Sequence, residues 1–478
     1  MSESDDLLDV WLNGHLAGTL MRGQSDDVEF AYSDEHLTLR TATPLSVSMP
    51  LVQQYYGPKE VMPWLSNLLP DAVEVRDRWA AKFHETRNDP FSLLRHMGQD
   101  APGAVQVVPR GFEPSTLGGT APITDARIAE RIHEIIEDPD HWVDDTDEDE
   151  GRFSLGGNQG KFALALVDGV WHEPNGRTPS THIIKPGMVT THGHTNSEIQ
   201  AVEFVTMRAA KRLGLTVAAV EIEDFAGLPA FVTKRYDRLT TSTGTLRMHQ
   251  EDFCQALSLL PSRKYEEDGG PTMHDMVNVV RENSSRAVAA TDLHALAQLF
   301  AFNLLTAGVD AHAKNHSLLL SGKAVRLAPA YDLISAHGIW DEKRVQFKSS
   351  AAVRYGKERR FRNISGRNLA RAADTLGVPR AEFHEMLVQM QSQLPAAFEA
   401  AAAELPEGMR SQNVLVMPSR QERFGSDVAA RATSQDLEET PSFTPPSNLA
   451  DRGRPRVWVP GQVEGGRWVS GSYRSRGR

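Results

Sequence analysis

Val309-Asp310-Ala311-His312-Ala313-Lys314-Asn315 decides the reading of this chain. Before it, Leu293, Leu296, Phe300 and Leu304 recur at helical spacing, and the pattern stops at Gly308. After it, residues 317–320 and 324–328 read as strands around a Ser321-Gly322-Lys323 turn, and Tyr331-Asp332 follows. The spacing predicts a helix that presents a loop bearing Asp and Asn five apart, then a hairpin, then a second Asp. Phosphoryl transfer asks for that set. One Asp takes the proton of the acceptor hydroxyl, the Asn holds a magnesium ion, and the second Asp holds magnesium against the nucleotide phosphates. Protein kinases space their catalytic Asp and Asn in the same way and place an Asp-Phe-Gly shortly after. Here Leu333-Ile334 follows Asp332, so the spacing agrees and the local motif does not. Alone, such an Asp and Asn equally suit a loop that satisfies its own backbone.

Upstream, Ser154-Leu155-Gly156-Gly157-Asn158-Gln159-Gly160-Lys161 stands directly before the strand-like run 162–167. Glycines there let backbone N–H groups approach phosphates. The loop is not a Walker A motif: Leu155 stands where the leading Gly belongs, and Phe162 replaces the hydroxyl residue. Lys185 ends the next strand, where a kinase carries its phosphate-binding lysine. A helix with Ile199, Val202, Val205, Ala209 and Leu213 on one face should follow, capped by Asn196 or Ser197. It brings Glu198 or Glu203 as the ion-pair partner of Lys185. Each piece has an ordinary alternative, namely a plain turn, a surface lysine or exposed helix charges. Their joint order is the specific signal.

Composition sets the frame. The chain has 478 residues, 40% hydrophobic and 24% charged, with a net charge of −12, which suits more than one soluble globular unit. That charge argues against nucleic-acid binding over the whole surface. Cys254 is the single cysteine, so no intramolecular disulfide or multi-cysteine zinc site can form. The acidic start and the absence of a long continuous apolar run point to a cytoplasmic chain with no membrane partner. Asn13-Gly14 predicts a hairpin in a β-rich unit over 1–112. Residues 113–151 read as a helical, acidic linker. Its run at 144–150 fails the calcium-loop pattern, with Glu150 where Gly is needed and Gly156 where Glu is needed. An ATP-binding β-rich part over 152–248 and a helical catalytic lobe over 249–408 come next. Residues 409–478 read as a largely disordered tail, with seven arginines after residue 450 and a possible terminal hairpin at Glu464-Gly465-Gly466.

Across roughly residues 7–405 the chain resembles the HipA family of bacterial kinase toxins. The resemblance is carried by Pro44 to Pro50, Asn67-Leu68-Leu69-Pro70-Asp71, Gly98 to Val105, the loop 154–161, Thr181-His182-Ile183-Ile184-Lys185, Gln250 to Gln255, Lys264 to Pro271, Asp310 to Asn315 and Tyr331-Asp332. It implies an α+β, bilobal, protein-kinase-like fold related to phosphatidylinositol kinases, with a β-rich family-specific N-terminal domain and a mainly helical C-terminal lobe. It implies ATP and Mg²⁺ as cofactors, Asp310 as catalytic base, and Asn315 and Asp332 as metal ligands. Ser154, Gly156, Gly157, Asn158, Gln159, Lys161, Lys185, His312 and Lys314 would surround the nucleotide, with Lys234, Arg235 and Tyr236 as the hinge against adenine. Ser154 would be the self-phosphorylation site that expels the Gly-rich loop. The implied partners are a helix-turn-helix antitoxin of HipB type, operator DNA mainly through that antitoxin, and an aminoacyl-tRNA synthetase as substrate, glutamyl-tRNA synthetase foremost.

Two other readings differ in class. His192, His194, Asp310 and His312 offer ligands for a metal-dependent hydrolase, although that reading leaves Lys185 and the Gly-rich loop without work. A catalytically inactive co-repressor acting with its antitoxin is the second.

Overall fold

The Asn13-Gly14 turn sets the first sheet. Both residues take positive φ, 52° and 78°, and β1 (Leu7–Leu12) and β2 (His15–Arg22) close as a two-residue hairpin. The computed structural model describes residues 6–23, 27–114, 120–140, 142, 154–157, 159–174, 178–186, 197–242 and 244–431, together with four strands between 456 and 475. The N-terminal domain continues with β3 (Val28–Tyr32), α1 (Asp34–Thr38), β4 (Tyr55–Tyr56), α2 (Pro58–Asn67), α3 (Val73–Lys82), α4 (Pro90–Met97) and β5 (Val105–Pro109). Its antiparallel sheet runs β4-β3-β2-β1-β5. Leu8, Val10 and Val107 from the sheet share a core with Trp64 and Leu65 of α2 and with Phe91 and Leu94 of α4.

Next comes α5 (Asp125–Glu137), capped by the Thr124 hydroxyl, which accepts from the Arg127 N–H. It is followed by β6 (Phe162–Val167), β7 (Val170–His172), β8 (His182–Lys185), α6 (Ser197–Arg212), β9 (Val220–Phe225), β10 (Leu228–Lys234), β11 (Arg238–Thr241) and β12 (Gly244–Arg247). The sheet order is β7-β6-β8-β10-β9. Side-chain alternation along β10 decides what covers each face: Ala230 and Val232 join the core that holds Ile128, Ile132 and Ile135 of α5, whereas Phe231 joins the core that holds α6. The expectation of a linker over 113–151 is therefore corrected. Helix α5 is one layer of this lobe, and Trp142 is buried in the N-terminal core; the acidic run 144–150 lies outside the described residues.

The helical lobe comprises β13 (His249–Asp252), α7 (Phe253–Ala256), α8 (Met273–Asn283), α9 (Arg286–Leu305), β14 (Ser317–Ser321), β15 (Ala324–Leu327), α10 (Glu342–Lys348), β16 (Ser350–Tyr355), β17 (Glu358–Arg360), α11 (Gly366–Leu376), α12 (Arg380–Ala402) and α13 (Gln412–Arg431). Among the described residues α9 is the one helix long and apolar enough to cross a membrane, but 67% of its apolar window is buried inside the fold. Its Leu296, Phe300 and Leu304 are core residues beside α12. The tail expectation fails over 412–431. Val414, Met417, Phe424 and Val428 of α13 recur at helical spacing and are buried in the same core, and burying such side chains outweighs local polarity. Farther on, β18 (Arg456–Val459) pairs antiparallel with β21 (Ser472–Ser475) and β19 (Gln462–Glu464) with β20 (Arg467–Val469).

The N-terminal domain grips both lobes. Toward the β-rich lobe, Asp100 accepts from Arg238 Nη2 at 3.0 Å and from the Ser180 N–H at 3.0 Å. Asp237, chelated by Arg235 at 3.0 and 2.8 Å, accepts from the Gly103 N–H at 2.7 Å. All these side chains are buried, so each charge depends on its partner. Toward the helical lobe, Glu251 accepts from the Val47 N–H at 2.8 Å and from the Ser46 hydroxyl, and Asn67 Nδ2 donates to the Leu259 carbonyl at 2.8 Å.

Candidate active site

Helix α9 ends at Leu305, and Ala307 turns the chain with φ 50°. The loop that follows carries Asp310 to Asn315, tied by its own backbone: His312 N–H donates to the Asp310 carbonyl at 2.8 Å, and Asn315 N–H to the His312 carbonyl at 2.9 Å. Asn315 Nδ2 donates to the Asp310 carbonyl at 2.8 Å, which leaves its amide oxygen for a cation. The hairpin β14–β15 then returns the chain to Tyr331 and Asp332. Tyr331 donates its hydroxyl to the Lys314 carbonyl at 2.7 Å, pinning the loop to the second Asp. Asp332 itself takes φ 53°, uncommon for a residue with a Cβ and a mark of a sharply constrained turn.

Asp310, Asn315 and Asp332 line one cleft of about 320 Å³ between the lobes. Lys185, at the end of β8, enters from the opposite lobe. Its ammonium donates to Glu203 Oε1 of α6 at 2.7 Å and also to Asp332 Oδ1. Of the two candidate glutamates, Glu203 is the partner; Glu198's side chain lies outside the description. Burial opposes the charge on Lys185, yet Asp332 and Glu203 outweigh it and hold the lysine above its ordinary range. Burial pushes Glu203 up to about 7. Asp332 also resists burial, but Lys185 and Lys161 bring it below the usual carboxylate range, so Asp332 is the ionised member of the pair.

The Gly-rich loop closes the cleft from above. Gly157 has φ 104°, and a Cβ there would meet Lys161 Nζ at 2.7 Å. Gly156, Gly157, Gln159 and Lys161 line the cleft; Asn158 lies outside the described residues. Lys161 packs its ammonium 5.3 Å from the Trp142 ring. Burial lowers it to about 8, with Asp332 opposing. Two expectations need correction here. The Ser154 side chain does not face the cleft: it is fully buried, and its hydroxyl donates to the Leu68 carbonyl of the N-terminal domain. Arg235 offers only its backbone to the cleft, since its guanidinium is consumed by Asp237 and Ser180. Lys234 and Tyr236 do line the cleft, and Tyr236 stacks on Tyr331 with ring centroids 5.7 Å apart, a flat apolar wall.

His312 and Lys314 also line the cleft. His312 is buried, packs edge-on against Tyr265 at 4.8 Å, and lies 3.6 Å from Asp310 Oδ1. Burial lowers it to about 4, so the ring is neutral at pH 7. Two functional candidates had no role in the sequence reading. Tyr265 donates its hydroxyl to Asp310 Oδ1. Asp71, from the N-terminal domain, bridges Lys314 Nζ at 2.5 Å and Lys264 Nζ at 2.8 Å. No group of three His, Cys, Asp or Glu side chains able to hold a metal occurs among the described residues, and His192 and His194 lie outside them. Magnesium needs less, one or two protein oxygens beside phosphates and water. The Asp332 carboxylate and the Asn315 amide oxygen fit that demand.

A lysine shared by a helix glutamate and a metal-type aspartate, facing a loop Asp–Asn pair across an interlobe cleft, defines a kinase-like phosphotransferase site. The chain belongs to the HipA family: residues 153–398 match the HipA-like C-terminal domain and residues 8–108 the HipA N-terminal domain. The serine/threonine-protein kinase toxin HipA of Shewanella oneidensis is 31% identical over 76% of this chain and 82% of its own length. Y4mE of Sinorhizobium fredii is 32% identical over 89% of this chain and 97% of its own. A solved structure of Shewanella oneidensis MR-1 HipA with HipB and operator DNA superposes with a TM-score of 0.75, at 26% identity, covering 89% of this chain and 98% of that one. The bilobal α+β architecture is accordingly kinase-like, and the enzyme class is serine/threonine-protein kinase.

Proposed function

We propose that this chain transfers the γ-phosphoryl group of ATP to serine or threonine hydroxyls, with Asp310 as base, and that it is the toxin of a pair with a HipB-type antitoxin. The observation that carries the reading is the single ammonium of Lys185 held between Glu203 and Asp332, opposite Asp310 and Asn315. Lys185 and Lys161 would bind the phosphates, and Asn315 and Asp332 would hold magnesium, which would supply neutralisation of the developing phosphate charge. Asp310, oriented by Tyr265, accepts the proton of the attacking hydroxyl as the bond to the leaving ADP oxygen breaks. The Tyr236–Tyr331 wall receives the base of the nucleotide.

The antitoxin and operator DNA are proposed on the likeness to the HipA–HipB–DNA structure, and a translation component such as an aminoacyl-tRNA synthetase on the family resemblance. Ser154 is the proposed self-phosphorylation site. Its seat has no room for a phosphate, because the side chain is fully buried against the Leu68 carbonyl, so modification requires the loop to leave and disables the cleft. The test is transfer of labelled γ-phosphate from ATP. Magnesium-dependent labelling of Ser154 in wild type, absent in Asp310→Asn, is the expected result. Labelling that persists in Asp310→Asn removes the base. Zinc-dependent hydrolysis without transfer would favour the hydrolase.

A further inference from the structure

Asn67, the last residue of helix α2, and the four residues after it reach across a domain boundary into the catalytic apparatus. The segment 67–71 belongs to the N-terminal domain, yet it touches both the Gly-rich loop and the opposite wall of the cleft. Leu68's carbonyl accepts the Ser154 hydroxyl, and the Asp71 N–H donates to the Gly157 carbonyl at 2.9 Å. Asn67's carbonyl lies 3.0 Å from where a Cβ on Gly156 would stand. The Asp71 carboxylate then turns to the opposite lobe, where it takes Lys314 Nζ at 2.5 Å on one oxygen and Lys264 Nζ at 2.8 Å on the other.

The position of those lysines gives the contact a chemical meaning. Lys314 is four residues beyond Asp310 and directly before Asn315, and its ammonium would lie 3.4 Å from a Cβ on Gly156. It therefore sits between the proposed base and the proposed phosphate cradle. Lys264 precedes Tyr265, whose hydroxyl orients Asp310. The Lys314 side chain is 6% exposed and that of Asp71 10%. Both ammonium groups thus converge on one carboxylate inside the cleft, where a phosphoryl group would pass. Removing the carboxylate takes away the group that holds both ammonium ends in place, and each is then free to rotate from its position beneath the loop.

We propose that Asp71 is a positioning residue for phosphotransfer: it fixes Lys314 and Lys264 beneath the Gly-rich loop, so the N-terminal domain completes the active site of the kinase. The claim rests on the kinase reading and goes further, since it assigns catalytic consequence to a carboxylate outside the kinase core.

The test compares Mg·ATP-dependent phosphoryl transfer by the full chain in wild type, Asp71→Asn, Asp71→Glu, Lys314→Gln and the Asp71→Asn/Lys314→Gln double variant, with thermal midpoints for each. Asp71→Asn keeps the shape of the side chain and removes its charge. The maximal rate should fall about 30-fold or more, the scale of losing an organised electrostatic donor, while half-saturating ATP moves less than about threefold. Asp71→Glu should recover most of the rate. The double variant should be no slower than the worse single variant, the signature of two residues acting as one unit. A rate for Asp71→Asn within about twofold of wild type would overturn the proposal, as would losses that multiply in the double variant or that follow the thermal midpoint. A wild-type chain that transfers no phosphate would bring down the kinase reading and this inference with it. An unaffected Asp71→Asn beside an active wild type brings down this inference alone.

Discussion

Raising the pH from 7 to 9 should discharge Lys161 in the free protein and weaken nucleotide binding. Burial lowers this lysine to about 8. It is therefore about 90% charged at pH 7 and about 10% charged at pH 9. Phosphate oxygens favour the charged form, so binding above pH 8 must draw a proton from solution. Affinity should be flat below pH 8 and fall about tenfold by pH 9, equivalent to about 1.4 kcal/mol. The sign is set by the depressed value: an ordinary exposed lysine would stay charged throughout and show no such slope. Calorimetric titration with Mg·ATP in buffers of different ionisation enthalpy reads both the affinity and the proton uptake. Glu203 and Asp252, pushed up to about 7, and Glu251, pushed up to about 8, titrate in the same window. Comparison with Lys161→Arg cancels them, because a guanidinium keeps its charge. Parallel pH slopes for wild type and Lys161→Arg would refute the reasoning.

Tyr265→Phe removes the hydroxyl that orients Asp310, and should lower the maximal transfer rate about tenfold with ATP affinity unchanged, read from initial rates. Glu251 is buried and protonated at neutral pH; its raised value adds stability that is complete below about pH 4.5 and lost as pH rises through about 8. Glu251→Gln should flatten the pH dependence of the thermal midpoint between pH 5 and 9, and an unchanged slope counts against a protonated Glu251. Truncation after residue 408 removes four buried apolar side chains of α13, roughly 1.5–3 kcal/mol each, against a total stability of roughly 5–15 kcal/mol. That chain should fail to give a cooperative melt, whereas truncation after residue 431 should melt like the full protein.

Local pattern exposed much of this architecture. The Asn13-Gly14 hairpin, the helix before Gly308, the β14–β15 hairpin and the loop spacing of Asp310 and Asn315 all follow from short-range rules. What resisted reading was long-range or masked by composition. Nothing near Asp71 tells which of the many carboxylates returns to a lysine 243 positions later. The choice between Glu198 and Glu203 was legible in principle, because Glu203 sits inside the apolar run 201–205 that packs into the core. Helix α13 carried a helical period at Val414, Met417, Phe424 and Val428, hidden by its Pro, Ser and Arg content. Ser154 lies within a Gly-rich loop, and loop chemistry alone gives no sign that its hydroxyl turns toward another domain.

The central claim is that Asp310 and Asp332 serve one bound nucleotide in different roles, the first moving a proton and the second holding metal. Binding of Mg·ATP to Asp310→Asn and to Asp332→Ala, measured beside transfer by each, separates those roles directly. The account predicts that Asp310→Asn binds as wild type does and transfers nothing, while Asp332→Ala loses magnesium-dependent binding. Full-speed transfer by Asp310→Asn, or undiminished magnesium-dependent binding by Asp332→Ala, would contradict it.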